Sequence, residues 1–116
     1  MATTTAYEFG DVILVPSFFT DQNGSNQRPA VIVSSSPCDA GRPGVVIVAV
    51  TSRTRPGSEG TEVAIARWRG AGLLKPSVVK PIFATIEQGL VRRRLGRLEE
   101  NDRQRLGDAL HHLLGP

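Results

Sequence analysis

The run Val45-Val46-Ile47-Val48-Ala49-Val50 constrains the fold more than any other feature of the chain. All of its residues but Ala49 are β-branched, so they favour an extended backbone and resist a helix. A short run that is apolar on both sides describes a strand covered on both faces, and it is expected to be the central one. Two more segments read alike. Asp11-Val12-Ile13-Leu14-Val15-Pro16 is a mostly apolar run closed by a proline, and Ala30-Val31-Ile32-Val33 is a buried strand entered through Arg28-Pro29. Between them, 20–27 is wholly polar and contains an Asn-Gly turn signal, so it reads as a loop. The segments 34–44 and 53–60, both rich in Pro and Gly, read as further loops.

Downstream, Thr61–Ile65 alternates polar and apolar residues as a half-exposed strand does, and 68–72 reads as a turn. Two further short strands are expected at 77–80 and 83–86. The period then changes. Leu106, Leu110, Leu113 and Leu114 recur at spacings of three and four, which predicts an amphipathic helix over 99–114. Glu99, Glu100 and Asp102 lie near its start, where the helix dipole favours negative charge, and Gly115 follows its end. Short strands followed by one terminal helix give a mainly β (α+β) fold, a small twisted sheet or barrel capped by that helix. With 116 residues the chain suits a single domain, 1–116.

Composition excludes several classes. The apolar fraction of 40% is too high for a disordered chain, and no stretch has the 18 apolar residues needed to cross a bilayer. Met1–Tyr7 has neither a basic start nor an apolar stretch, so no secretory signal is expected and the default location is the cytoplasm. A lone cysteine, Cys38, rules out a disulfide framework or a cysteine-based zinc site. The adjacent His111 and His112 point to different faces of the helix and do not jointly hold a metal. No cofactor is expected. The net charge is +3, and 12 of the 14 basic residues are Arg. Arginine grips phosphates with two parallel hydrogen bonds, which favours a polyanionic partner, although a GC-rich genome produces the same bias.

Four constellations are able to carry chemistry. In Gln27-Arg28-Pro29 the proline holds Arg28 extended at the mouth of a buried strand, where a guanidinium can stabilise charge on a phosphate; a surface ion pair is the plainer alternative. Thr51 and Ser52 end the most buried strand, where hydroxyls are rigidly held yet open to a ligand, though both are also common strand-ending residues. Arg53, Arg55, Arg67, Arg69, Lys75 and Lys80 form a basic set, with Trp68 and Phe18-Phe19 available for base stacking and Phe9 and Phe83 expected in the core. The run Arg92-Arg93-Arg94, with Arg97 behind it, is expected on solvated surface.

Taken in order, Phe9-Gly10-Asp11-Val12-Ile13-Leu14-Val15, Phe18-Phe19-Thr20-Asp21-Gln22, Arg28-Pro29-Ala30-Val31-Ile32-Val33 and Ala49-Val50-Thr51-Ser52 resemble the MazF/PemK family of toxin endoribonucleases. Gly72–Lys80 and Leu95–Leu98 resemble the second half of the same family, so the likeness spans about residues 8 to 115. The resemblance implies a small SH3-like curved β-barrel with a C-terminal helix, paired as a homodimer. It implies metal-independent cleavage of single-stranded RNA (mRNA) at short sequence motifs and inhibition by a cognate antitoxin. By similarity the 2'-hydroxyl attacks the adjacent phosphate, leaving a 2',3'-cyclic phosphate and a 5'-hydroxyl. Arg28 would stabilise the phosphorane, Thr51 would hydrogen-bond the scissile phosphate, and Ser52 would assist. Phe18, Thr20, Asp21, Gln27, Arg53, Arg55 and Lys80 are the expected RNA contacts. Some relatives carry a glutamate before the Arg-Pro pair or a carboxylate after the SVV strand; this chain has Asn23 and Lys80-Pro81-Ile82 there, which leaves the general base unassigned. A related toxin class with the same barrel poisons DNA gyrase through its terminal helix, and a non-catalytic RNA-binding module is the third reading.

Overall fold

The computed structural model describes residues 7–16, 27–34, 44–52 and 63–115. Within them six strands form one curled, half-barrel sheet: β1 (Asp11–Pro16), β2 (Gln27–Ile32), β3 (Gly44–Ser52), β4 (Val63–Ala64), β5 (Ser77–Glu87) and β6 (Arg93–Arg97). A helix, α1 (Glu100–Leu114), follows. The strand order is β4-β5-β3-β2-β1-β6, so the most apolar run, in β3, lies inside the sheet as expected. All the pairings are antiparallel.

Period-two alternation splits the apolar residues into two cores, one on each face. Val12, Val31, Val48, Val50 and Val79 pack with Ile65, Leu73, Leu98 and Leu106 under α1. Ile13, Val15, Ala30, Ile32 and Ile47 form the other core. Side chains of this type contribute about 1.5–3 kcal/mol each when fully buried. The runs are apolar on both sides because both faces of the sheet are covered.

Two buried carboxylates tie the frame together. The Ala66 and Arg67 backbone N–H groups donate to Asp102 Oδ1 and Oδ2 at 3.1 and 2.9 Å, joining the 66–67 turn to α1. Arg105 Nη1 donates to Asp102 Oδ1 and to the Ala64 carbonyl. Asp102 therefore clamps a turn, beyond the dipole role read from its position. At the opposite edge Asp11 is buried and accepts from Arg94 Nη2 (3.2 Å), Arg97 Nε (2.9 Å) and the Glu8 N–H. The hydrogen bond and charge of Asp11 raise the Arg97 pKa above its ordinary value.

Four departures from the sequence reading have local causes. Residues 77–87 form one strand instead of two, because Pro81, which has no N–H to donate, falls where the β3–β5 register shifts between Val48 and Val50. Phe83 is 38% exposed and not a core residue, because β4 pairs with only Val78 and Val79 along that edge; Phe9 does pack against the core. Of the strand expected at 61–65, Val63 and Ala64 form β4 and Ile65 falls outside it, while 61–62 lie outside the described residues. The fourth is β6, which has no apolar alternation to announce it. Its arginines are not simply a solvated run: Arg94 and Arg97 are committed to Asp11, and charge along an edge strand also discourages pairing with other chains.

Candidate functional site

At the ends of β2 and β3 the sheet opens into a cleft of about 460 Å³. Pro29 starts this opening. The β2–β3 ladder runs from Ile32 opposite Ile47 to Ala30 opposite Ala49, and no pairing is made at Pro29. Continuing the register by two residues brings Arg28 level with Thr51, so both side chains leave the sheet on the same side. Arg28 and Thr51 both line the cleft, as does Gln27. Arg28 and Thr51 are each half-buried.

The facing wall comes from the 66–76 segment, which a chain of backbone hydrogen bonds folds tightly. Ala71 N–H donates to the Arg67 carbonyl, Gly72 N–H to Arg69 and Leu73 N–H to Trp68. This turn presses against β6 so closely that glycine is needed on both sides. Gly72 has a φ of +90°, and a Cβ there would strike the Leu95 carbonyl; a Cβ on Gly96 would come within 2.5 Å of the Ala71 oxygen. The contact brings Leu73, Leu74 and Lys75 to the cleft beside Arg93 and Leu95. The Ser77 hydroxyl donates to the Lys75 carbonyl at 2.8 Å and fixes that corner.

The electrostatics are one-sided. Arg28, Lys75 and Arg93 line the cleft, and among the described residues no carboxylate does. Among the described residues these three cations have no hydrogen-bonding or ion-pair partner, unlike Arg94, Arg97 and Arg105. Hydroxyl, amide and cationic groups that share the cleft lining with Leu14, Pro29 and Val50 offer both phosphate donors and apolar surface. No group of three or more His, Cys, Asp or Glu that could hold a metal gathers among the described residues.

The other expected site residues divide into three groups. Ser52 ends β3 opposite Ser77. Phe18, Thr20, Asp21, Arg53 and Arg55, like Phe19 and Asn23, lie outside the described residues. Lys80 departs from the expectation: it lies with Pro81, Leu106 and Leu110 between β5 and α1, away from the cleft. Trp68 is also elsewhere, half-buried against the core with the Arg69 guanidinium 5.0 Å from its ring centroid, in a separate hollow with Arg67 and Glu99. Missed by the sequence reading as site residues were Lys75, Arg93 and Ser77. Lys75 was visible only as one of six basic residues, and Arg93 as one of three adjacent arginines.

The whole-chain comparison decides the family. Residues 8–114 match the model of the PemK-like, MazF-like toxins of type II toxin–antitoxin systems. The chain belongs to this family. Its fold is shared with the Mycobacterium tuberculosis toxin MazF-mt6, at a TM-score of 0.70 and 21% identity, over 90% of this chain and 95% of that one. A mycobacterial endoribonuclease solved in complex with its cognate antitoxin superposes with a TM-score of 0.70 at 22% identity, covering 93% of this chain and 94% of the other. MazF in a MazE–MazF complex from Deinococcus radiodurans gives 0.71 at 19% identity, over 97% and 98%. No curated protein matches significantly.

Proposed function

We propose that this PemK/MazF-like toxin is a sequence-specific, metal-independent endoribonuclease that cuts single-stranded mRNA in its strand-end cleft. The observation that carries the reading is the meeting of Arg28 and Thr51, 23 residues apart in sequence, at one cleft that the described residues line with cations and with no carboxylate. Attack of the ribose 2'-oxygen on the adjacent phosphorus forms one P–O bond and breaks the bond to the 5'-oxygen. The products are a 2',3'-cyclic phosphate and a 5'-hydroxyl. The attacking hydroxyl loses a proton and the leaving oxygen gains one, so the net step needs no water. In this proposal the Arg28 guanidinium neutralises charge on the pentavalent phosphorus, where preorganised donors are worth most. Thr51 donates to a non-bridging phosphate oxygen, and Ser52 supports it from the same strand end. Gln27 contacts the RNA beside them, with Phe18, Thr20, Asp21, Arg53 and Arg55 as further contacts from the adjoining loops.

The neighbours solved as complexes with a cognate antitoxin support an antitoxin as the second partner, and a homodimer is the proposed working unit. The proposed location is the cytoplasm; among the described residues no helix is long and apolar enough to cross a membrane. End-mapping of RNA fragments after brief exposure to the protein in EDTA tests the reading. Fragments with cyclic-phosphate and 5'-hydroxyl ends are expected in the chelator. Intact RNA together with inhibition of a topoisomerase would overturn it in favour of a helix-borne mode of poisoning.

A further inference from the structure

The strand register divides the cations of the cleft between two sides of the sheet. Arg28 pairs opposite Val15 on β1, whereas Arg93 pairs opposite the next residue, Leu14. Successive residues of a strand project to opposite faces, so Arg28 and Arg93 leave the sheet in opposite directions while lining one cleft. With β1 between β2 and β6, their backbones stand two strand spacings apart, about 10 Å. Lys75 joins the same cleft from the facing turn, its carbonyl held by the Ser77 hydroxyl.

The run Arg92-Arg93-Arg94 shows why Arg93 is available. Arg94 is held by the buried Asp11, as is Arg97, so the guanidiniums on either side of Leu95 and Gly96 stabilise the frame. Arg93 has no such partner among the described residues and is exposed at the cleft. Three unneutralised cations around one cleft repel one another and are stabilised by a polyanion that spans them. One phosphate at Arg28–Thr51 leaves Arg93 and Lys75 unused.

We propose that Arg93 and Lys75 form a second phosphate subsite, which holds a backbone phosphate flanking the scissile one as the RNA passes around the strand ends. The proposal rests on the reading of the cleft as an RNA site. It makes Arg93 a binding residue with no part in bond breaking. Substrate grip then divides in two, with Arg28 and Thr51 acting on the reacting phosphate and Arg93 and Lys75 setting the path of the strand beside it.

The test compares the parent, Arg93→Gln, Arg93→Lys and Lys75→Ala on a single-stranded RNA oligonucleotide that the parent cuts, and on the same oligonucleotide blocked by 2'-O-methylation at the cleaved ribose. Arg93→Gln is expected to raise KM about tenfold, the scale of one charge-assisted hydrogen bond, with kcat within about twofold of the parent. Its affinity for the blocked oligonucleotide should depend less on salt, the slope of log K against log[salt] falling by about 0.7 because one phosphate fewer is neutralised. Arg93→Lys should restore most of the slope, and Lys75→Ala should change KM in the same direction. A neutral methylphosphonate flanking the scissile position should weaken the parent more than it weakens Arg93→Gln, which keeps only Lys75 at the subsite. If the parent cuts and Arg93→Gln matches it in KM and salt slope, the subsite is wrong and the nuclease reading stands. A fall in kcat alone would also overturn the subsite, because Arg93 would then act on the reacting phosphate. A parent that binds the RNA without cutting it defeats the nuclease reading, and the salt slopes then decide the subsite by themselves. A parent that binds no single-stranded RNA overturns both.

Discussion

Arginines of the frame and arginines of the cleft have the same chemistry and opposite fates, even where they are neighbours in β6. Arg94, Arg97 and Arg105 reach buried carboxylates: Asp11 takes the first two and Asp102 the third. Arg28 and Arg93 line a cleft to which no carboxylate of the described residues contributes. The difference lies in the partner. A buried carboxylate left alone would be costly, so its arginines are fixed parts of the frame. A cation beside open space with no partner keeps its full hydrogen-bonding capacity for a ligand. Basic composition by itself therefore says little about binding until the structural arginines have been set aside.

This contrast can be broken by substitution. The largest effect on activity is expected at the cleft: Arg28→Ala or Thr51→Ala should slow RNA cleavage about 10²–10³-fold, the usual penalty for removing one charge-stabilising donor, with circular dichroism and Tm unchanged. If both variants cut at the parent rate, the site is misplaced. In the frame the order reverses. Asp102→Ala leaves the Ala66 and Arg67 N–H groups without their acceptor, which should cost about 2–4 kcal/mol in urea unfolding, with specific activity per folded molecule retained. A variant as stable as the parent would show that the clamp contributes nothing.

Arg97→Gln sharpens the comparison through pH. The Arg97 pKa is raised by Asp11 above its ordinary, strongly basic value, so the favourable contribution is complete below that ordinary value and is lost only as pH climbs through the higher folded one. The Tm deficit of Arg97→Gln relative to the parent should therefore be constant between about pH 6 and pH 9, well below that range. A deficit that vanished within that window would mean that another group controls the pair. The smallest effect belongs to Phe83. Being 38% exposed, it should tolerate replacement by Ser at about 0.5 kcal/mol or less, whereas a core phenylalanine would cost several times more.

Most of the fold was legible because period and punctuation are local. The runs in β1, β2 and β3 and the leucine spacing in α1 each declare their element within a few residues. β6 was not legible, since Arg93–Arg97 carries no apolar alternation and becomes a strand only by pairing with β1. Phe83 misled for a similar reason: an aromatic residue in a strand is buried only if something covers it.

The candidate site divides along the same line. Arg28 and Thr51 were singled out by strand-end position and family likeness, and Gln27 by its place beside the Arg-Pro pair. Lys75 and Arg93 were not separable from their basic neighbours, and Lys80, expected as an RNA contact, does not line the cleft but lies with Pro81 and Leu106. Sequence alone determined the apolar strands β1, β2 and β3, the place of the helix and the excess of cation, because these follow from backbone sterics, hydrophobic periodicity and charge. Only the tertiary structure decided which arginines are neutralised and which are not. That choice depends on where Asp11 and Asp102 are buried and on how closely the turn at Gly72 meets Gly96, and both are contacts between residues distant in the chain.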